Sequence, residues 1–238
     1  MSTTVPLDNV EHAALRLRRG RGARFGDDVN QVAVFVSEFA QVQREYPILF
    51  AKTPEGALQG IAILGFERGE NLFLDGARWD AAYIPALLRH RPFTIGSAGG
   101  EHAVFVDLAD ARVASEDEEG DPVFKPHGGN APALEAGLDA LRVLQAGAAA
   151  APTLSSLFEE LGLVEPVRLQ VQLSEHAGVD FDGYMAVTSE KIAALDGAAL
   201  ARLNSAGLLE AAVFAAASLG TMPRLVARKQ RKMAAAVA

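Results

Sequence analysis

The chain has 238 residues, of which 50% are hydrophobic and 22% are charged, a composition typical of a globular protein with a sizeable core. It contains no cysteine, which excludes disulfide frameworks, zinc ribbons, iron–sulfur clusters and cysteine nucleophiles. The net charge of −8 argues against a broad nucleic-acid-binding face, so we do not expect a nucleic-acid partner.

The N-terminal segment carries neither the basic start nor the apolar run of a secretory signal. No window reaches the ~18 consecutive apolar residues that a membrane span needs. The most apolar stretch, residues 208–219, contains Glu210 and is interpreted as a buried helix. We therefore expect a cytoplasmic protein with no membrane span.

Apolar runs in the first half of the chain predict strands separated by turns. These runs are residues 32–36, 47–51, 61–66, 72–74, 93–95 and 103–108, while residues 15–18 alternate apolar and charged side chains as a half-buried strand does. A helix is predicted for residues 38–45, with Ser37 as its N-terminal cap. Trp79 and Tyr83 are four residues apart, which places them on a further helix that ends or kinks at Pro85.

The second half of the chain reads as mainly helical. One helix is predicted to start near Asn130, and a second covers residues 154–161 and ends at Gly162. Residues 167–173 alternate as an amphipathic strand, and residues 181–187 are its predicted hairpin partner, with the turn at residues 178–180. Helices are expected to start near residues 189, 198 and 208.

This order of elements predicts an α+β fold. We expect a mixed or antiparallel sheet in a strand-rich N-terminal part, packed with a helix-rich C-terminal part that contains a β-hairpin. The chain is interpreted as one domain over residues 1–238. The acidic and glycine-rich stretch at residues 115–130 is its best candidate for a seam.

Motifs for specific chemistry are weak. The glycine-rich residues 96–100 lack the Lys-Ser/Thr of a phosphate-binding loop and are interpreted as a turn. Ser97 has its neighbouring glycines in the wrong register for a hydrolase elbow. The five histidines are scattered, with no metal-ligand spacing. We therefore predict no metal site and no cofactor.

Residues 65–93 concentrate the only Trp, a Tyr, four Arg and several polar side chains. Aromatic faces beside guanidinium and amide groups suit a small polar or aromatic ligand. The competing interpretation is that Trp79 and Tyr83 are core residues and the arginines lie at the surface. The candidate ligand-binding residues are Tyr46, Glu70, Asn71, Trp79, Tyr83, Arg89 and Arg91.

Basic residues form two clusters without carboxylates, at residues 16–24 and 224–232. Their role is left open; contact with nucleic acid or anionic lipid is a third, weaker hypothesis. The C-terminal cluster is interpreted as a frayed surface helix whose cations suit the negative helix end. On that interpretation, truncation after Pro223 leaves folding intact.

Several segments resemble the SapC family, which is named after bacterial surface-layer operons. In chain order they are RFG at 24–26, EYPILF at 45–50, GFERGENLFL at 65–74, WDAAYIP at 79–85, RPF at 91–93, IAALDG at 192–197, GLL at 207–209 and ASLG at 217–220. The resemblance covers most of the chain. It implies a bacterial cytoplasmic protein linked by name to surface layers, with members often encoded near outer-membrane uptake receptors and flavin halogenase-like genes.

Two hypotheses follow from these observations. The first is an accessory or binding protein of surface-layer or outer-membrane uptake systems, which binds a small ligand or a protein partner through the region of Trp79, Tyr83, Arg89 and Arg91. The alternative is an enzyme of unknown reaction, with its active site within residues 70–91.

Overall fold

The computed structural model of the chain describes residues 4–98, 100–114, 118–174 and 177–237. The chain divides into two compact units whose segments alternate along the sequence. Unit 1 comprises Met1–Asp27, Leu74–Trp79 and Ala86–Gln145, and unit 2 comprises Asp28–Phe73, Asp80–Pro85 and Ala146–Ala238. The segment interpreted as a seam falls inside the range of unit 1.

Strands predominate in the first half of the described chain and helices in the second half. In chain order they are β1 (Thr4–Pro6), β2 (Arg16–Leu17), β3 (Gln31–Val34), α1 (Phe39–Val42), β4 (Ile48–Lys52), β5 (Leu58–Ile63), β6 (Leu74–Asp75), β7 (Arg78–Trp79), α2 (Ala86–Arg89), β8 (Phe93–Ala98), β9 (Glu101–Asp107), β10 (Val113–Ala114), β11 (Asp121–Pro122), α3 (Pro132–Glu160), β12 (Val164–Ser174), β13 (Ala177–Val187), α4 (Ser189–Ala193), α5 (Gly197–Ser205), α6 (Leu209–Ser218) and α7 (Met222–Val237).

Unit 1 is built on small antiparallel sheets, in the orders β1-β9-β8 and β10-β2-β11, together with the β6-β7 hairpin. Phe93 of β8 and Val106 of β9 are fully buried, and they form one apolar cluster with Leu134 and Leu141 of α3. Burial of such side chains supplies about 1.5–3 kcal/mol each. This cluster anchors the start of α3 to the sheet.

Unit 2 contains a five-stranded antiparallel sheet in the order β12-β13-β4-β5-β3. Its core is aromatic: the Phe50 ring makes edge contacts with Phe39 at 6.2 Å and with Phe158 at 5.8 Å between ring centroids. The strand-rich N-terminal half, the helical C-terminal half and the antiparallel sheets confirm the α+β prediction.

The predicted C-terminal β-hairpin is confirmed as β12 and β13. The predicted position of its turn is wrong. Gly178 pairs with Gln172 and Asp180 pairs with Gln170, so both lie within β13. Pairing between β12 and β13 therefore includes both residues that were predicted to form the turn. The residues between the two strands, 175–176, lie outside the described part of the chain.

The helix predicted around Trp79 and Tyr83 is absent from the described structure. Trp79 instead pairs with Leu74 across the β6-β7 hairpin. Gly76, with φ of 58°, supplies the left-handed backbone that this tight reversal needs. Tyr83 lies outside regular structure, two residues before Pro85, whose ring disfavours helical backbone at the residue before it.

The two helices predicted near residues 130–144 and 154–161 form one helix of 29 residues, α3. Pro152 lies inside it. An alanine-rich stretch precedes the proline, and alanine has the highest intrinsic helix propensity, whereas an interior proline costs about 3 kcal/mol. Packing of both ends of α3 therefore outweighs the local break that the sequence indicates.

The helical stretch Leu209–Ala235 meets the length and hydropathy criteria for crossing a membrane. Buried helices of globular proteins meet the same criteria, and 39% of its most apolar window is buried in this structure.

The interpretation of the C-terminal basic cluster as a frayed surface helix is wrong, because α7 is packed into unit 2. Leu225 is buried, and so is Lys229, whose Nζ donates hydrogen bonds to Glu67 and Glu70 at 2.8 Å each. Burial alone lowers the pKa of Lys229, but the two carboxylates outweigh it and raise that pKa. One face of α7 is therefore docked against the rest of unit 2.

Truncation after Pro223 is therefore expected to destabilise the protein. Loss of Leu225 removes about 1.5–3 kcal/mol of apolar burial, and loss of Lys229 leaves two neighbouring carboxylates without their cation. We expect the free energy of unfolding, measured by urea denaturation, to fall by at least about 2 kcal/mol. A chain that ends at Lys232 keeps both contacts and should lose less than about 1 kcal/mol. Equal stability of the two truncated chains would contradict the docking.

Candidate functional site

Six arginine side chains line one cleft of about 240 Å³ in unit 1, which we call the arginine cleft. Three come from the segment after β2, two from the end of α2 and the residues after it, and one from just before β10. The arginines are Arg18, Arg19, Arg21, Arg89, Arg91 and Arg112. Asp121 and two alanines of α3, Ala133 and Ala136, also line the cleft.

Backbone hydrogen bonds fix the segment that follows β2. The N–H of Arg18 donates to the carbonyl of Arg112 at 2.8 Å, and the N–H of Arg21 donates to the carbonyl of Ala77 at 2.9 Å. Between them, Gly20 has φ of 90°, and a Cβ there would lie 3.3 Å from Ala77. Glycine therefore allows the chain to turn closely against the β6-β7 hairpin.

A buried ion pair forms the deepest part of the cleft. Arg112 is only 6% exposed, and its Nη2 donates to Oδ1 of Asp27 at 2.8 Å and to the carbonyl of Phe25 at 3.2 Å. Asp27 is fully buried, and its Oδ2 accepts the Gly22 N–H at 3.0 Å. The Nε of Arg112 is also buried, with no hydrogen-bond partner among the described residues.

An unpartnered buried donor of this kind costs about 1–3 kcal/mol. This Nε is sealed from solvent, so Arg112 borders the cleft through other atoms of its side chain.

Arg21 shares the same carboxylate. Its Nη1 lies 3.6 Å from Oδ1 of Asp27 and donates to the carbonyl of Leu88 at 2.9 Å. The pKa of Arg21 is lowered, first by burial and then by the positive charge of Arg112, with a smaller effect of Arg89. One carboxylate therefore balances the buried guanidinium of Arg112 and the partly buried one of Arg21, and the positive charge around them is incompletely neutralised.

The outer arginines make more exposed ion pairs. Arg91 donates to Oδ2 of Asp110 from Nε at 2.9 Å and from Nη2 at 2.8 Å. Arg19 pairs with Asp121 at 2.8 Å between Nε and Oδ1, and both side chains are at least half exposed. Exposed pairs contribute about 0–1 kcal/mol, so Arg19 can exchange Asp121 for a ligand at low cost, whereas Asp110 is buried and Arg91 remains its cation.

The candidate ligand-binding residues from the sequence fall in both units. Arg89 and Arg91 lie together in the arginine cleft. Trp79 also belongs to unit 1, where it is buried in the β6-β7 hairpin. The other four, Tyr46, Glu70, Asn71 and Tyr83, belong to unit 2.

Tyr46 and Tyr83 are joined by a hydrogen bond from the Tyr46 hydroxyl to the Tyr83 carbonyl. Tyr46 is fully buried, with its ring 4.5 Å from that of Phe73. The Tyr83 hydroxyl donates to Oε2 of Glu38 at 2.8 Å. The aromatic and polar parts of both tyrosines thus contribute to the packing of unit 2.

Glu70 and Asn71 organise a tight turn. The Oε2 of Glu70 accepts the Phe66 N–H at 3.0 Å, while its Oε1 accepts from Lys229. Asn71 is buried, and its Oδ1 accepts the Phe73 N–H at 2.9 Å. Both side chains therefore hold the backbone between β5 and β6.

A second cleft, of about 270 Å³, lies along α7 in unit 2. Arg224, Arg228 and Arg231 line it together with Glu45 and the ring of Phe73. Arg228 stacks over Phe73 at 4.5 Å and its Nη1 donates to Asp80 at 2.6 Å. The guanidinium of Arg228 thus has its partners within unit 2, whereas the Nε of Arg112 has none among the described residues.

Sequence reasoning missed Arg112 and Asp27 altogether and left the basic segment 16–24 without a role. Arg112 lies 85 positions from Asp27, and neither is part of a recognisable motif. The arginines near the start of the chain were visible as a cluster, and that cluster was the available signal. Among the described residues, no group of three or more His, Asp or Glu is arranged to hold a metal ion.

Comparison with known protein families identifies the class of this α+β protein. The model of one family, SapC, matches residues 7–225, which include every residue of the arginine cleft. The chain belongs to the SapC family, as the resemblance predicted. No curated protein and no solved structure gives a significant match.

Asp27→Asn tests the buried ion cluster. The amide keeps the shape of the side chain but leaves Arg21 and Arg112 without their carboxylate, which should lower the free energy of unfolding by about 3–5 kcal/mol. Asp121→Asn removes a carboxylate from an exposed pair and should cost less than about 1 kcal/mol. Urea denaturation of the two variants and the parent protein measures both values. A similar small loss for both would show that Asp27 does not carry the cluster.

Proposed function

We propose that this chain is a binding protein for a small anionic ligand, which occupies the arginine cleft. The supporting observation is the set of six arginines around the cleft, of which Arg112 and Arg21 share the single carboxylate of Asp27. Hydrogen bonds from a charged donor are worth about 1.5–3 kcal/mol, roughly twice a neutral bond. An anion in the cleft would offset the excess positive charge.

The cleft is organised before any ligand enters. Arg112 is held by two acceptors, and Arg21 is held by a carboxylate and a carbonyl. Arg91 is held by Asp110, to which it donates from both Nε and Nη2. A preorganised site loses less conformational entropy on binding, so more of the interaction energy appears as affinity. This arrangement supports binding as the role of the site.

The dimensions of the cleft favour a small molecule over a protein partner. Its volume of about 240 Å³ lies just below the roughly 300–1,000 Å³ of common ligand pockets. The proposal keeps the setting that the family resemblance implies: a cytoplasmic accessory protein of surface-layer or outer-membrane uptake systems. The family name is the support for that setting.

Calorimetric titration with small anions tests the proposal directly. We expect sulfate, succinate or glycerol 3-phosphate to bind, and Arg112→Gln to weaken that binding about 10-fold or more, since one charged hydrogen bond is lost. Arg19→Gln, at the exposed side of the cleft where Arg19 pairs with the half-exposed Asp121, provides a second variant outside the buried cluster.

The matched control is Arg142→Gln, which removes the same charge from an exposed arginine of α3 that pairs with Asp139. This variant should bind anions as the parent protein does. If no anion binds the parent protein at low ionic strength, or if all three variants bind equally, the arginine cleft is not a ligand site.

A further inference from the structure

The first turn of α3 forms part of the arginine cleft. Ala133 and Ala136 line the cleft, and α3 starts at Pro132, the favoured first position for proline. The first helical hydrogen bond runs from the Glu135 N–H to the Ala131 carbonyl at 3.1 Å. The N–H groups before Glu135 belong to the donors that have no acceptor within a helix.

A helix N-terminus carries a partial positive charge and projects backbone donors, which together make it suited to anions. In this cleft, Ala133 of that first turn lies beside Arg112 and the other five arginines. The start of a helix and a set of guanidinium groups therefore border the same small volume.

We propose, on the basis of the arginine cleft as a ligand site, that its ligand is a phosphate monoester whose phosphoryl group lies between Arg112 and the first turn of α3. A phosphoryl group has three terminal oxygens and close to two negative charges at neutral pH. A carboxylate offers two oxygens and one charge. The larger set of acceptors matches donors that approach from a helix end and from several guanidinium forks.

The charges of the cleft support a dianion. Asp27 balances both Arg21 and Arg112, and Arg89 is close enough to affect Arg21 electrostatically. The volume of about 240 Å³ corresponds to roughly eight water molecules at about 30 Å³ each. That space holds a phosphoryl group with a few carbon atoms and is too small for a dinucleotide.

Calorimetric titration at pH 7.5 and pH 5 distinguishes the ligand classes. Glycerol 3-phosphate should bind at least 10-fold more tightly than succinate at pH 7.5. Because the second phosphate pKa is about 6, affinity for the ester should fall roughly 5- to 10-fold at pH 5. Sulfate stays dianionic and reports any change in the protein itself. The protein groups whose titration the sulfate control accounts for are the carboxylates of Asp27, Asp110, Glu118 and Asp121 and the imidazole of His90.

A charge placed on the helix turn tests the position of the phosphoryl group. Ala133→Asp puts a carboxylate at the cleft, where it should abolish phosphate binding, while acidic residues in a first helical turn favour the helix and preserve the fold. Ala133→Asn is the matched control with the same shape and no charge, and we expect it to change affinity less than about 3-fold. Thermal unfolding of both variants checks the fold.

The outcomes separate the two proposals. Loss of anion binding in Arg112→Gln supports the arginine cleft as a ligand site. The phosphoryl assignment is overturned, with the cleft intact, if the parent protein does not prefer the ester or if Ala133→Asp still binds it. It is also overturned if affinity for the ester does not weaken relative to sulfate at pH 5. Absence of binding by every anion would overturn both. Titration of phosphatidic acid vesicles beside the soluble ester then identifies a lipid or a metabolite as the source of the phosphoryl group.

Discussion

The buried carboxylate of Asp27 is the constraint on which the arrangement of unit 1 depends. A charge removed from water is tolerated only when it is paired and hydrogen-bonded, and Asp27 meets this requirement with Arg112, Arg21 and the Gly22 N–H. These contacts join segments that are far apart in the sequence: the chain after β2 and the residues before β10. The path of the backbone around the arginine cleft follows from satisfying that one carboxylate.

The same pairing is consistent with the binding role that we propose for unit 1. Arg112 is fixed by Asp27 and by the Phe25 carbonyl, yet its Nε stays without a partner among the described residues. Arg21 is fixed in the same way through Asp27 and the Leu88 carbonyl. Guanidinium groups held by part of their fork keep other edges available, which suits recognition of anions with several oxygens.

Unit 2 uses the same types of residue for a different purpose. The Tyr46 and Tyr83 hydroxyls, the Glu70 carboxylate and the Asn71 amide all bind groups of the unit itself. Lys229 joins α7 to this framework through two carboxylates. A segment rich in aromatic, amide and guanidinium groups therefore resembles a binding site in sequence, although most of its hydrogen-bonding capacity serves internal packing.

Local sequence patterns predicted the α+β class, the family, the β-hairpin of β12 and β13, and the approximate place of most strands, because alternation and apolar runs are local properties. It also singled out Arg89 and Arg91, which share the arginine cleft. Tertiary structure alone decided that Trp79 pairs in a hairpin, that α3 continues through Pro152, and that α7 is docked. Each depends on contacts with residues distant in the chain, as does the pairing of Asp27 with Arg112. Such contacts contribute more free energy than the local preference of a segment for helix or strand. Local sequence patterns do not show which distant residue will make the contact.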